Sequence, residues 1–198
     1  MNHTDIFAII AIVIGTIALW PYYIGIYRHT VKPHAFTWLT WSLVNGIITA
    51  VQFSEKGGVG AWTSAIGTLQ IAAVAVLAVS GYGTRNITRG DTLCFALALL
   101  AIPLWYYTKN PLWSVVLVCF IDGMAFYPTF RKSWLLPYQE KIFTYAIGNL
   151  RFIFTILALE SITWASILFP IWVIALDTVF IAMLLWRRRL LPASQGPT

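Results

Sequence analysis

Long apolar runs alternate with short polar breaks along the chain, and the runs are about as long as a bilayer is thick. Residues 6–27, 36–53, 61–82, 92–107, 113–130, 142–159 and 164–186 are the seven runs. A membrane span needs about 20 apolar residues, and in lipid each backbone N–H must find its carbonyl within the same helix. The pattern therefore predicts seven transmembrane helices, with the fourth the shortest. The breaks are short, so successive helices are expected to run antiparallel. No basic residue precedes the first run, and it is a full span long, so it reads as a retained helix rather than a signal peptide.

The polar breaks carry a second pattern. A turn with Arg28, His29, Lys32, Pro33 and His34 leads into Trp38-x-x-Trp41-x-x-x-Asn45. Later, Pro128, Arg131, Lys132 and Pro137 lead into Thr144, Tyr145 and Asn149. Pro33 and Pro137, Thr40 and Thr144, Trp41 and Tyr145, and Asn45 and Asn149 each stand 104 positions apart. A constant offset without gaps predicts a duplicated unit. The expected layout is a first three-helix unit at 1–82, a linker helix at 83–110, a second three-helix unit at 111–187 and a polar tail at 188–198. A single linker helix sets the two units parallel, so the expected fold is an all-α membrane protein of two parallel repeats.

Composition removes the soluble alternatives. Charged residues make up 10% of the chain and hydrophobic residues 59%, with mean hydropathy +0.76, whereas soluble domains carry about 25% charge. No polar stretch is long enough for a soluble domain, so 1–198 reads as one transmembrane domain. The net charge is +6, and its placement matters more than its size. Arg28, Lys32, Arg85, Arg89, Arg131, Lys132, Lys141, Arg187, Arg188 and Arg189 fall at one set of helix ends, against Lys56 and Lys109 at the other. The positive-inside rule then predicts a multi-pass protein with its N-terminus outside and its C-terminus cytoplasmic. This distribution suits anionic headgroups rather than nucleic acid. The expected partners are the lipid bilayer and a small polar solute, with a homo-oligomer left open.

Catalytic chemistry is not visible. His3, His29 and His34 lie outside the apolar runs, and Cys94 and Cys119 lie within them, where small buried residues are common. No phosphate loop, metal-ligand spacing or Ser–His–Asp set is present, so no enzyme, metal or cofactor is expected.

Polar residues inside the runs are the candidates for function. Asp122, Arg151 and Asp177 are charges within spans. At about 1.5 Å rise per residue they fall about 13, 18 and 15 Å from the arginine-rich ends of their helices, close to the midplane. Such charges normally face the protein interior and have partners. They form either a structural ion-pair cluster or a site where Arg151 binds solute and an aspartate carries a proton. Asn45 and Asn149 form a symmetric pair that can donate and accept on two sides of a ligand, or bond between helices. Trp38 and Trp41 share a helix face, and Tyr145 matches Trp41; these rings can stack on a solute or sit in the interfacial aromatic belt. Pro21, Pro128 and Pro170 interrupt backbone hydrogen bonding within spans, which makes them candidate hinges.

This plan resembles the PQ-loop superfamily, which includes the SWEET sugar transporters, lysosomal amino-acid exporters and the KDEL receptor. The likeness rests on two three-helix units, a linking helix and a proline near the inner end of each unit's first helix. The Pro-Gln dipeptide itself is replaced, since Tyr22 follows Pro21 and Thr129 follows Pro128. The Trp38-x-x-Trp41-x-x-x-Asn45 stretch is similar to a motif of the PnuC vitamin transporters, which would make those three residues ligand contacts. The resemblance implies a transporter of a small polar solute (sugar, amino acid or nucleoside/vitamin) working by alternating access. Its alternative is a receptor or accessory subunit that binds without transport.

Overall fold

A computed structural model describes residues 2–29, 33, 35–83, 89–135, 137, 138 and 142–191. Lys32, His34, Arg85, Lys141 and the tail from 192 onward lie outside these. So do the side chains of Pro128, Arg131 and Lys132, whose backbones lie within a helix.

The described residues fold into α-helices without strands: α1 (His3–Tyr27), α2 (Ala35–Ser54), α3 (Val59–Leu77), α4 (Arg89–Thr108), α5 (Pro111–Leu135), α6 (Ile142–Ala158) and α7 (Trp164–Leu190). Each coincides with one of the apolar runs. The starts follow local chemistry. Pro111 occupies the first position of α5, where a missing N–H costs nothing, and the Leu112 N–H donates to Asn110 Oδ1 at 3.0 Å. Thr163 and Ser166 exchange side-chain and backbone hydrogen bonds of 3.2 and 3.0 Å at the head of α7. The ends of α5 and α7 differ from the pattern. Both helices run past the first arginine instead of stopping at it, and cations in a last turn favour that by facing the negative end of the helix dipole. At the other extreme, α3 loses α-geometry early. A π-helical turn, Ala78–Tyr82, closes it, with Gly81 at φ 112°.

Among the described residues three helices are long and apolar enough to cross a membrane: α1, α3 with its π turn, and α7. Phe95–Thr108, Pro111–Phe126 and Ile142–Ala158 are shorter apolar helices. The distribution of side-chain size is that of a lipid-solvated fold. On α1, Ala8, Ala11 and Gly15 are buried while Ile6, Ile9, Val13 and Ile17 face outward. Water would drive the large residues inward, whereas in lipid the small residues mediate helix contact because they permit close approach.

Packing follows a regular scheme. α3 lies against both α1 and α2, and α7 lies against both α5 and α6. Between these groups α1 and α3 meet α6, and α5 and α7 meet α2, while α4 covers α2 and α5. Exchanging α1 with α5, α2 with α6 and α3 with α7 carries every pair except those of α4 onto another packed pair. The α2–α3 turn also touches the α6–α7 turn, where the Glu160 N–H donates to Gly57 O at 3.2 Å. At the opposite end, Arg187 Nε donates to Trp134 O at 2.8 Å and Arg188 Nε to Pro137 O at 3.0 Å. These bonds tie the end of α7 to the end of α5.

The two contacts between groups are chemically unlike. Against α5 and α7, α2 presents Val44, Ile47, Ile48 and Val51 to Val115, Val118, Ile121 and Phe169, a continuous apolar core. Gln52 is the exception there, and its Nε2 donates to Ser166 O at 3.0 Å. Against α1 and α3, α6 presents Arg151 and Thr155.

Candidate functional site

The residues singled out from the sequence fall into three separate places. The first is a pair of aromatic clusters, one in each group of helices. Trp38 and Trp41 meet edge to face at 5.4 Å. Trp38 is buried, and its Nε1–H donates to Tyr22 Oη at 3.2 Å. It is therefore an interior residue here, not a belt residue. In the other group Tyr145 packs on Phe180 at 4.7 Å and on Phe126 at 6.0 Å.

The symmetric asparagines also stay within their own groups. Asn45 Nδ2 donates to Trp41 O at 2.9 Å, within α2. Asn149 Nδ2 donates to Thr178 Oγ1 on α7 at 3.2 Å. The structure does not bond the two asparagines to each other. It does leave one unpaired atom beside each cluster: the indole N–H of Trp41 and the Oδ1 of Asn149 are both buried with no partner. A buried polar atom without a partner costs about 1–3 kcal/mol, so these two atoms are unmet polar groups in the interior.

The second place is an acid pair. Asp122 on α5 and Asp177 on α7 lie within electrostatic reach of each other. Asp177 is only 9% exposed, and its Oδ2 stands 3.5 Å from where a side chain on Gly148 of α6 would begin. Trp172 neighbours Asp122, but its indole N–H completes no hydrogen bond.

Arg151 is the third place, and it departs from the expected Asp122/Arg151/Asp177 cluster. Among the described residues no ion pair joins it to either aspartate. It leaves α6 in another direction, into a slot between α1 and α3. A Cβ on Gly15 would stand 3.0 Å from Arg151 Cδ and Nε, and a Cβ on Gly67 would overlap the guanidinium. The physical reason is steric: α1 and α3 offer glycines at this level, whereas Asp122 and Asp177 belong to the α5–α7 contact on the other side of the second group. Polar side chains lie on either side of the slot. Thr63 Oγ1 and Thr155 Oγ1 are 3.3 Å apart toward the end that carries the α2–α3 turn. Toward the arginine-rich end, Gln70 Nε2 donates to Thr16 Oγ1 at 2.7 Å.

Gly15, Gly67, Thr16, Thr63 and Thr155 escaped the sequence reading. The available signal was spacing: Thr63, Gly67 and Gln70 recur every third or fourth residue, as do Ala8, Ala11 and Gly15. Of the candidate hinges, Pro21 is exposed within α1 and Pro170 is buried within α7. Pro128 lies within α5.

The fold and these interior polar groups define an all-helical protein of membrane type. No family model, curated protein or solved structure matches the chain.

Proposed function

We propose that this chain is a seven-span transporter of the SWEET/PQ-loop plan, moving a small polar solute by rocking one three-helix unit against the other. The observation that carries the reading is the exchange relation among packed helices. Two groups with the same internal order, third helix in the middle, meet through two contacts that the exchange carries onto each other. The adjacency of the α2–α3 and α6–α7 turns supports a parallel arrangement, because an inverted repeat would separate them to opposite faces. The solute path follows the polar contact of α6 with α1 and α3, since the other contact is apolar and close-packed. Asp122 and Asp177 are the candidates for proton coupling. The gathering of basic residues at one end supports an outside N-terminus and a cytoplasmic C-terminus.

The test is flux in liposomes containing the purified protein, screened against sugars, amino acids, nucleosides and vitamins. Transport predicts uptake that saturates and that falls at least tenfold in Asn149→Ala while the protein still inserts. Saturable binding with no flux of any bound solute would instead identify a receptor or accessory subunit.

A further inference from the structure

We infer that Arg151 is the anchor of a site for a small organic monoanion, a carboxylate, held between α1, α3 and α6. This deepens the transport reading by naming the class of solute, but it can stand without flux.

Arg151 is a permanent cation in the middle of an apolar helix. Among the described residues its guanidinium has no salt bridge, and no hydrogen bond from it to a protein acceptor is present; the one charge-related contact is with the ring of its chain neighbour Phe152, at 5.4 Å. A lone charge at mid-bilayer is costly even on the most lenient scale, and protein interiors normally provide a counter-charge. Here Asp122 and Asp177, the acids within the neighbouring apolar helices, form no ion pair with it among the described residues.

The fold nevertheless makes room for this side chain. α1, α3 and α6 pack pairwise, and the two helices facing Arg151 each place a glycine against it, Gly15 and Gly67. At Gly67 even a methyl group would displace the guanidinium. The residue is half-buried.

A guanidinium presents a planar fork that matches a carboxylate or a phosphate. Charge decides between them. One guanidinium neutralises one carboxylate, whereas a phosphate monoester carries close to two charges near neutral pH and would leave an uncompensated charge in the low-dielectric interior. No second Lys or Arg faces the slot among the described residues. The Thr63–Thr155 pair and the Thr16–Gln70 pair flank it along α3.

The experiment uses the purified full chain at pH 7.5 and fixed ionic strength. Melting temperature is measured against acetate, lactate, pyruvate, benzoate and nicotinate, with lactamide and nicotinamide as neutral counterparts and inorganic phosphate as the competing anion. A ligand of the native state raises the melting temperature with concentration. At least one carboxylate is expected to do so while its neutral counterpart does not. Arg151→Lys should weaken that carboxylate about tenfold or more, because it keeps the charge and loses the fork, and Arg151→Gln should remove the effect. Gly67→Ala gives an independent check should Arg151→Gln fail to fold: it fills the slot, keeps the charge, and should weaken binding as well. No shift with any carboxylate, equal shifts with the neutral counterparts, a shift with phosphate alone, or unchanged binding in Arg151→Lys and Gly67→Ala would each overturn the assignment. Carboxylate binding without flux would leave this site standing and remove transport. Flux of a neutral solute that is untouched by Arg151→Gln would do the reverse.

Discussion

Gln52 shows how a single polar group is weighed inside this bundle. Its side chain is fully buried; Nε2 donates to Ser166 O, and Oε1 has no partner. Interhelical hydrogen bonds in membranes average about 0.6 kcal/mol, and an unmet buried acceptor costs about as much or more. The two effects offset, so Gln52→Leu, which keeps the volume, should change stability by less than about 1 kcal/mol. Gln52→Ala leaves a cavity and should cost about 2 kcal/mol. Denaturant unfolding of the purified variants distinguishes these, and equal losses in both would mean that the amide itself holds α2 to α7. The acid pair gives a second test at this scale. If Asp122 and Asp177 carry a coupling proton, Asp177→Asn abolishes uptake driven by a pH gradient yet preserves exchange of labelled for unlabelled solute. Loss of both activities would make the aspartate a structural or solute-binding group. Such charges can be found in a sequence because they are anomalous in apolar runs. Their partners cannot: nothing in the spacing of Asp122, Arg151 and Asp177 shows that Arg151 turns toward α1 and α3.

At the scale of elements, glycines separate close approach from backbone freedom. Gly60, at the head of α3, is buried against the α6–α7 turn, and a Cβ there would meet Leu159 Cα and N at 2.6 Å. Backbone cannot yield as a side chain can, so Gly60→Ala should cost about 1–3 kcal/mol. Gly46, mid-helix in α2, has only Thr68 Cγ2 at 3.9 Å, so Gly46→Ala should be neutral or stabilising by up to about 1 kcal/mol through helix propensity. Gly81 has open space but a φ of 112°, so Gly81→Ala should cost about 1–2 kcal/mol from backbone strain alone. Thermal unfolding of the three variants checks the order, and a neutral Gly60→Ala would mean that the two turns are not in firm contact. All the helices were readable in the sequence because each is one apolar run, and their middles agree closely. Their ends were less so. The run of α5 stops where charge begins, but its hydrogen bonding continues to Leu135, since a helix end is set by caps and dipole as well as by hydropathy.

For the molecule as a whole, the proposed repeat rests in the sequence on Pro33/Pro137, Trp41/Tyr145 and Asn45/Asn149, because a shared offset survives when identity is lost. The slot around Arg151 was not legible there. It is assembled from three helices distant in sequence, and two of its walls are glycines, which carry no chemical signature until a neighbour is placed beside them. The same assembly yields the strongest mechanical prediction. Across the middle the two groups meet through the turns, Gln52, the two helix contacts and α4, which packs on both α2 and α5, and the Val59 N–H reaches Glu160 Oε1 at 3.4 Å. If the units rock, the α2–α3 and α6–α7 turns must separate in one of the two states. A cysteine pair, Val59→Cys with Glu160→Cys, joined by a short reducible bifunctional linker, should then trap one state. Flux should fall to background and recover on reduction, while ligand-induced thermal stabilisation persists. Full flux in the linked protein would rule out rocking at this face and confine any motion to the arginine-rich end, where Pro21 and the α7 arginines lie. Loss of flux that reduction fails to restore would mean that the substitutions themselves broke the turn, and the single-cysteine variants measured alongside would show it.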